Sequence, residues 1–188
     1  MKKIISLFQR NYDGDRLVRD EVVPGAEWVL AGEGVATRKW DGTCVLIETG
    51  RMWKRYEVKK GKQAPPGFRP ANEVDPNTGK QQGWLPVGDG PDDRWHREAA
   101  LNDDCDFSDY EDGTYELVGP KVQGNPDRIS AHRLIRHGSV VLPDVARDYE
   151  SIQEYLSRAD IEGIVWHHPD GRMVKIKAKD FGLKRGHS

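Results

Sequence analysis

Apolar and polar positions alternate most clearly in the last third of the chain. Glu162-Gly163-Ile164-Val165-Trp166 reads as a strand, His167-His168-Pro169-Asp170-Gly171 as a turn, and Arg172 to Lys177 as the returning strand. In that return Val174 and Ile176 take the core side, while Lys175 and Lys177, two residues apart, share the opposite face. Shortly before it, Tyr149, Ile152, Tyr155 and Leu156 recur at helical spacing. This predicts an amphipathic helix over residues 149–158 with Asp148 as its N-cap.

The middle of the chain carries a second two-residue rhythm. Thr43 to Thr49 is β-branched and apolar, Gly50 turns the chain, and Arg51 to Val58 returns. Alternation places Met52, Lys54, Tyr56 and Val58 on one face and Arg51, Trp53, Arg55 and Glu57 on the other. With Lys59, Lys60 and Lys62 this hairpin is the densest cationic stretch in the chain, and it is expected to present arginines beside Lys39. Gly113 to Pro120 reads as a strand with Glu116 facing away from Tyr115 and Leu117, and Val140 to Leu142 as a short strand. Arg94 to Leu101 reads as a short helix.

The pattern is weaker elsewhere. Residues 3–8 predict a strand, Leu17 to Val23 an extended segment closed by Pro24-Gly25, and Glu27 to Ala31 a short helix. Residues 63–93 hold Pro65, Pro66, Pro70, Pro76, Pro86 and Pro91, and an acidic run from Asp103 to Asp112 follows soon after. The whole of 63–112 therefore reads as a loop-rich insertion within a single domain spanning residues 1–188.

Composition narrows the function classes. The chain has 188 residues, 36% hydrophobic and 32% charged, with a formal net charge of -2. Global charge therefore does not hold it to nucleic acid, and any such contact falls to a local patch. Two cysteines, Cys44 and Cys105, form neither a disulfide framework nor a metal spacing, which fits a reducing compartment. No apolar run approaches membrane-spanning length, so the expectation is a soluble, cytoplasmic protein with no membrane partner. The adjacent His167 and His168 point to opposite sides of a strand and have no further ligands at a useful spacing. They read as turn residues.

The candidate chemistry sits at Thr37-Arg38-Lys39-Trp40-Asp41-Gly42. Lysine is a nucleophile once desolvated or crowded by other cations. A carboxylate beside it can hold a divalent ion, and a glycine lets a phosphate approach the backbone. Alone, Lys-x-Asp-Gly occurs by chance in about one chain in twenty-five of this length, and its plain reading is a solvated turn. The lysine pair at 175 and 177 is the better independent signal.

In order along the chain, Lys39-Trp40-Asp41-Gly42, Glu116 within Tyr115-Glu116-Leu117-Val118-Gly119, Glu162-Gly163-Ile164-Val165 and Lys175-Ile176-Lys177 resemble motifs I, III, IV and V of the covalent nucleotidyltransferases. These are the ATP-dependent DNA ligases, the RNA ligases and the mRNA capping enzymes. Arg55 stands as the motif Ia residue, with Arg51 the second choice. The resemblance covers roughly residues 35–180. It is strongest to the small RNA ligase family that includes the human 5′-phosphate/3′-hydroxyl RNA ligase. Further stretches carry that likeness, among them Arg55 to Gly61, Gly83 to Val87, Trp95 to Ala99 and Tyr115 to Lys121.

The resemblance implies an α+β fold: an ATP-grasp-like nucleotidyltransferase (adenylation) domain of antiparallel sheets flanked by helices, without a C-terminal OB domain. It implies ATP and Mg²⁺ (or Mn²⁺) as cofactors and RNA with 5′-phosphate and 3′-hydroxyl ends as partner, and it leaves oligomeric state open. Lys39 would be the nucleophile that forms lysyl-AMP. Thr37, Arg38, Gly42, Arg55, Glu116, Lys175 and Lys177 would bind nucleotide, and Asp41, Glu116 and Glu162 would hold metal through its water shell. Lys175 and Lys177 would favour the neutral form of the Lys39 amine. RNA ligases often carry a glutamate where this chain has Arg38, which leaves adenine to main-chain groups near Thr37. The alternatives are a DNA or mixed RNA/DNA nick ligase, a guanylyltransferase, or a nucleotide-binding module without catalysis.

Overall fold

The computed structural model describes residues 4–104 and 106–185. Lys3, at the start of the first expected strand, and Cys105 lie outside the described residues. The chain begins with β1 (Ile5–Ser6), β2 (Phe8–Arg10) and β3 (Val18–Val22), then α1 (Glu27–Leu30) and β4 (Val35–Lys39). There follow β5 (Thr43–Glu48), β6 (Arg51–Val58), β7 (Arg69–Pro70), β8 (Gln81–Pro86), α2 (Arg94–Asn102), β9 (Gly113–Val118) and β10 (Arg133–Arg136). The last elements are α3 (Tyr149–Arg158), β11 (Gly163–His167) and β12 (Met173–Lys177). The fold is mixed α+β and mostly antiparallel. No helix among the described residues is long and apolar enough to cross a membrane.

Two compact units divide these elements. One is Asp41–His137; the other holds residues 4–40 and 138–185.

The unit Asp41–His137 is built on an antiparallel six-stranded sheet in the order β10-β9-β5-β6-β8-β7. Its central hairpin turns on Thr49 and Gly50, both in the left-handed region, which matches the tight turns that suit twisted strands. Val45, Ile47, Met52, Tyr115, Leu117 and Leu134 point to one face and, with Ala99 of α2, make its core. The 63–112 stretch expected to be loop-rich contributes β7, β8 and α2, and β8 lies along β6 for six residue pairs. Trp84 anchors it and is buried. Tyr56 keeps the face expected of it but is exposed, with Phe68 edge-on to its ring.

The other unit is organised by a four-stranded sheet, β1-β12-β11-β4, antiparallel except for the β1–β12 pair. Ala36, Ile164, Trp166, Val174 and Ile176 turn to one side of it and meet α3 through Ile152 and Leu156. Phe8, Tyr149 and Phe181 pack edge to face with centroids 5.0–6.3 Å apart. Asp148 caps α3 by accepting the Ser151 N–H at 2.9 Å.

Two expectations need correction here. The strand expected over residues 3–8 is split at Leu7. Its N–H bonds to the Lys175 carbonyl and its own carbonyl accepts from Val23, so β1 joins β12 while β2 pairs with β3. Residues 140–142 form a single bridge, Thr37 to Val141, rather than a strand, with Pro143 ending any further ladder.

Candidate functional site

The β4–β11–β12 register builds the lysine cluster. Lys39, the last residue of β4, pairs with Gly163, and Gly163 pairs on its other side with Lys177. Both lysines therefore stand on one face, flanking a strand position that has no side chain. A Cβ on Gly163 would overlap the Ile176 carbonyl oxygen. Glu162, buried and one residue before this gap, fills the space between the ammonium groups. Its Oε2 accepts from Lys39 Nζ at 2.5 Å and its Oε1 from Lys177 Nζ. Lys39 Nζ also donates to the Trp40 carbonyl at 3.3 Å.

Lys175 shares the face, two residues before Lys177. Burial, then the charges of Lys177 and Lys39, lower its pKa from the usual lysine value, with Glu162 and Asp180 opposing. Thr37 lies in the same row as Val165 and Lys175. Its hydroxyl donates to the Val165 carbonyl at 3.0 Å and lies 3.1 Å from His167 Nε2. Arg38 sits on the opposite face, where its guanidinium stacks 3.9 Å over the Trp40 ring. Of the predicted residues, then, this unit gathers Lys39, Glu162, Lys175 and Lys177, with Thr37 on their face and Arg38 turned from it.

The remaining predicted residues belong to the unit Asp41–His137. The Asp41 N–H donates to Asp127 Oδ2 at 3.0 Å. Gly42 N–H donates to Glu116 Oε1 at 3.0 Å. A Cβ at Gly42 would overlap the Leu117 carbonyl oxygen, so its bare backbone serves the close approach of β9. Arg55 on β6 stacks 4.9 Å from the centre of Trp84, its cross-strand partner, and its Nε donates to Gln82 at 3.1 Å. Burial lowers its pKa, and its Nη1 is buried with no hydrogen-bond partner among the described residues. Arg51, the second choice for its role, is exposed opposite Glu48.

Glu116 has company that sequence reasoning missed. Cys44 stands directly across from it on β5, and His137 Nε2 is 2.8 Å from its Oε2. The signal is faint in sequence, because three strands must be aligned before positions 44, 116 and 137 coincide. Asp41 is not part of this group, and Glu162 belongs to the other unit.

In sequence, the chain is similar to RNA ligases. The family model for RNA ligase 1 matches residues 99–187, a span that contains Glu116, Glu162, Lys175 and Lys177. RNA ligase 1 of Mus musculus is 25% identical over 79% of this chain and 67% of its own length, and that of Rattus norvegicus matches to the same extent. RNA ligase 1 of Pongo abelii is 35% identical over a shorter stretch, 41% of this chain and 26% of its own. The chain resembles the RNA ligase 1 family.

Proposed function

We propose that the protein is an ATP-dependent RNA ligase that joins 5′-phosphate and 3′-hydroxyl RNA ends through a lysyl-AMP intermediate on Lys39, within an ATP-grasp-like nucleotidyltransferase fold. The observation that carries the reading is the trio in which one carboxylate, Glu162, holds Lys39 and Lys177 while Lys175 crowds them. Isolated surface lysines are solvated; here three are gathered on one sheet face, as a polyphosphate requires.

In the first step Lys39 parts from Glu162, gives up a proton to solvent, and its amine attacks the α-phosphorus of ATP. The N–P bond forms as the bond to the bridging oxygen breaks, and pyrophosphate leaves. AMP then passes to a 5′-phosphate oxygen, returning the lysine, and the 3′-hydroxyl displaces AMP to make the phosphodiester. Such transfers need positioning and charge neutralisation above all. Lys175 and Lys177 neutralise α-phosphate charge, and the buried, unsatisfied Nη1 of Arg55 is a donor that a ribose or phosphate oxygen would satisfy. Mg²⁺ or Mn²⁺, when bound, shields the remaining phosphate charge, and carboxylate oxygens such as those of Glu162 are of the kind these ions take.

The test is a sealing assay on nicked RNA, DNA and mixed duplexes carrying 5′-phosphate and 3′-hydroxyl ends, with ATP or GTP. Joined RNA with ATP is expected. Joining of DNA alone would move the reading to a DNA ligase, and joining with GTP in preference to ATP would overturn the nucleotide assignment.

A further inference from the structure

The face of the six-stranded sheet that turns from its core brings together a sulfur, a carboxylate and an imidazole. Cys44 on β5 and Glu116 on β9 are direct cross-strand partners. Glu116 also pairs with Ile135 on β10, two residues before His137. One ligand atom from each of Cys44, Glu116 and His137 lies within 4.8 Å of the other two, the one such group of three among the described residues. Glu116 is buried and the other two are half-buried. The imidazole is oriented from behind: its Nδ1 lies 2.9 Å from Thr114 Oγ1, which leaves Nε2 aimed at Glu116. A ring with one nitrogen fixed by a hydrogen bond and the other facing anionic donors is the arrangement of a metal-bound histidine.

We propose that Cys44, Glu116 and His137 form a binding site for a borderline-soft divalent ion of the Zn²⁺ class, with the fourth tetrahedral position left to water or another ligand. The donor set selects the ion. Thiolate and imidazole suit Zn²⁺ and its neighbours, whereas Mg²⁺ takes oxygen in octahedral geometry. Around a tetrahedral ion such donors sit about 3.4–3.7 Å apart, so side-chain rotations moving the atoms by about 1 Å close the site. On binding, the Cys44 thiol releases its proton to solvent, and the ion replaces any proton held between His137 and Glu116. The site goes beyond the ligase reading and does not depend on it.

Cobalt(II) makes the site visible. In the full chain carrying Cys105→Ser, Cys44 is the sole thiol. Titration with Co²⁺ is expected to produce a thiolate-to-cobalt charge-transfer band with tetrahedral d–d absorption, saturating at one equivalent. Zn²⁺ erases both, and excess Mg²⁺ does not. Thr114→Val, which removes only the orienting hydroxyl, weakens binding by about tenfold, and His137→Gln weakens it further. Absence of the band in the Cys105→Ser protein, or its displacement by Mg²⁺, overturns the proposal. So does unchanged affinity in both the Thr114→Val and His137→Gln variants. The first two readings need no second variant to fold.

Discussion

Replacing Glu162 by glutamine keeps the shape of the side chain and removes the charge that holds Lys39 and Lys177 together. With charge centres about 4 Å apart and an effective dielectric near 20, each lysine gains about 4 kcal/mol of attraction from the carboxylate. Desolvation offsets most of that gain; the mutation returns Glu162's own share of the cost but not that of the lysines, which stay where the strands place them. Removing one partner of a fully buried pair costs about 3–5 kcal/mol. Here the Lys39 and Lys177 side chains keep 20% and 19% of their surface exposed, so water recovers part of the loss and the expected cost is about 2–4 kcal/mol. For a chain of this length that lowers Tm by roughly 4–16 °C. Lys177→Met is the control: it leaves Glu162 paired with Lys39 and should cost less than half as much. Urea unfolding of both variants beside the wild type measures the difference. If Glu162→Gln unfolds within about 1 kcal/mol of wild type, or if Lys177→Met costs as much, the carboxylate does not organise the cluster.

Other outcomes follow from single environments. Lys175→Met should stabilise the protein near neutral pH. The depressed lysine penalises the folded state while charged and is relieved as pH rises towards 10.5, so the advantage seen at neutral pH should shrink as that pH is approached in urea unfolding. His96 is buried with neither ring nitrogen bonded among the described residues, and burial holds its pKa below 6.5. Wild-type stability should therefore be full above pH 6.5 and fall below it by at most about 1.4 kcal/mol per pH unit, and His96→Leu should flatten that decline. Gly42→Ala drives a methyl into the Leu117 carbonyl and should cost about 3 kcal/mol or more, read as a lowered Tm.

Local rules made the C-terminal half legible. The α3 stripe and its Asp148 cap, the β11–β12 hairpin, and the shared face of Lys175 and Lys177 all follow from helical and strand periodicity within a dozen residues. What was hidden depends on pairing between distant strands. Arg133-Leu134-Ile135-Arg136 has two apolar residues between arginines, too few to announce β10, and it forms because β9 offers an edge. Leu7 looks like the middle of one strand, yet it bonds both to β12 and to the residue after β3, and no local pattern reveals that division. The same limit applies to the site. Sequence marks Lys39 as a nucleophile and Glu162 as a metal ligand, but their 2.5 Å contact exists only because β11 brings position 162 to the end of β4. His137 and Cys44 escaped notice because each is unremarkable until β5, β9 and β10 lie side by side.

The ligase reading rests on covalent capture of AMP by one amine. Incubating the protein with ATP and Mg²⁺, then measuring intact mass and mapping the modified peptide under non-acidic conditions, tests this directly. A single acid-labile AMP on Lys39, absent from Lys39→Ala and diminished in Lys175→Ala and Lys177→Ala, is the expected result. An adduct that persists in Lys39→Ala, or no adduct on the wild-type protein, would contradict it.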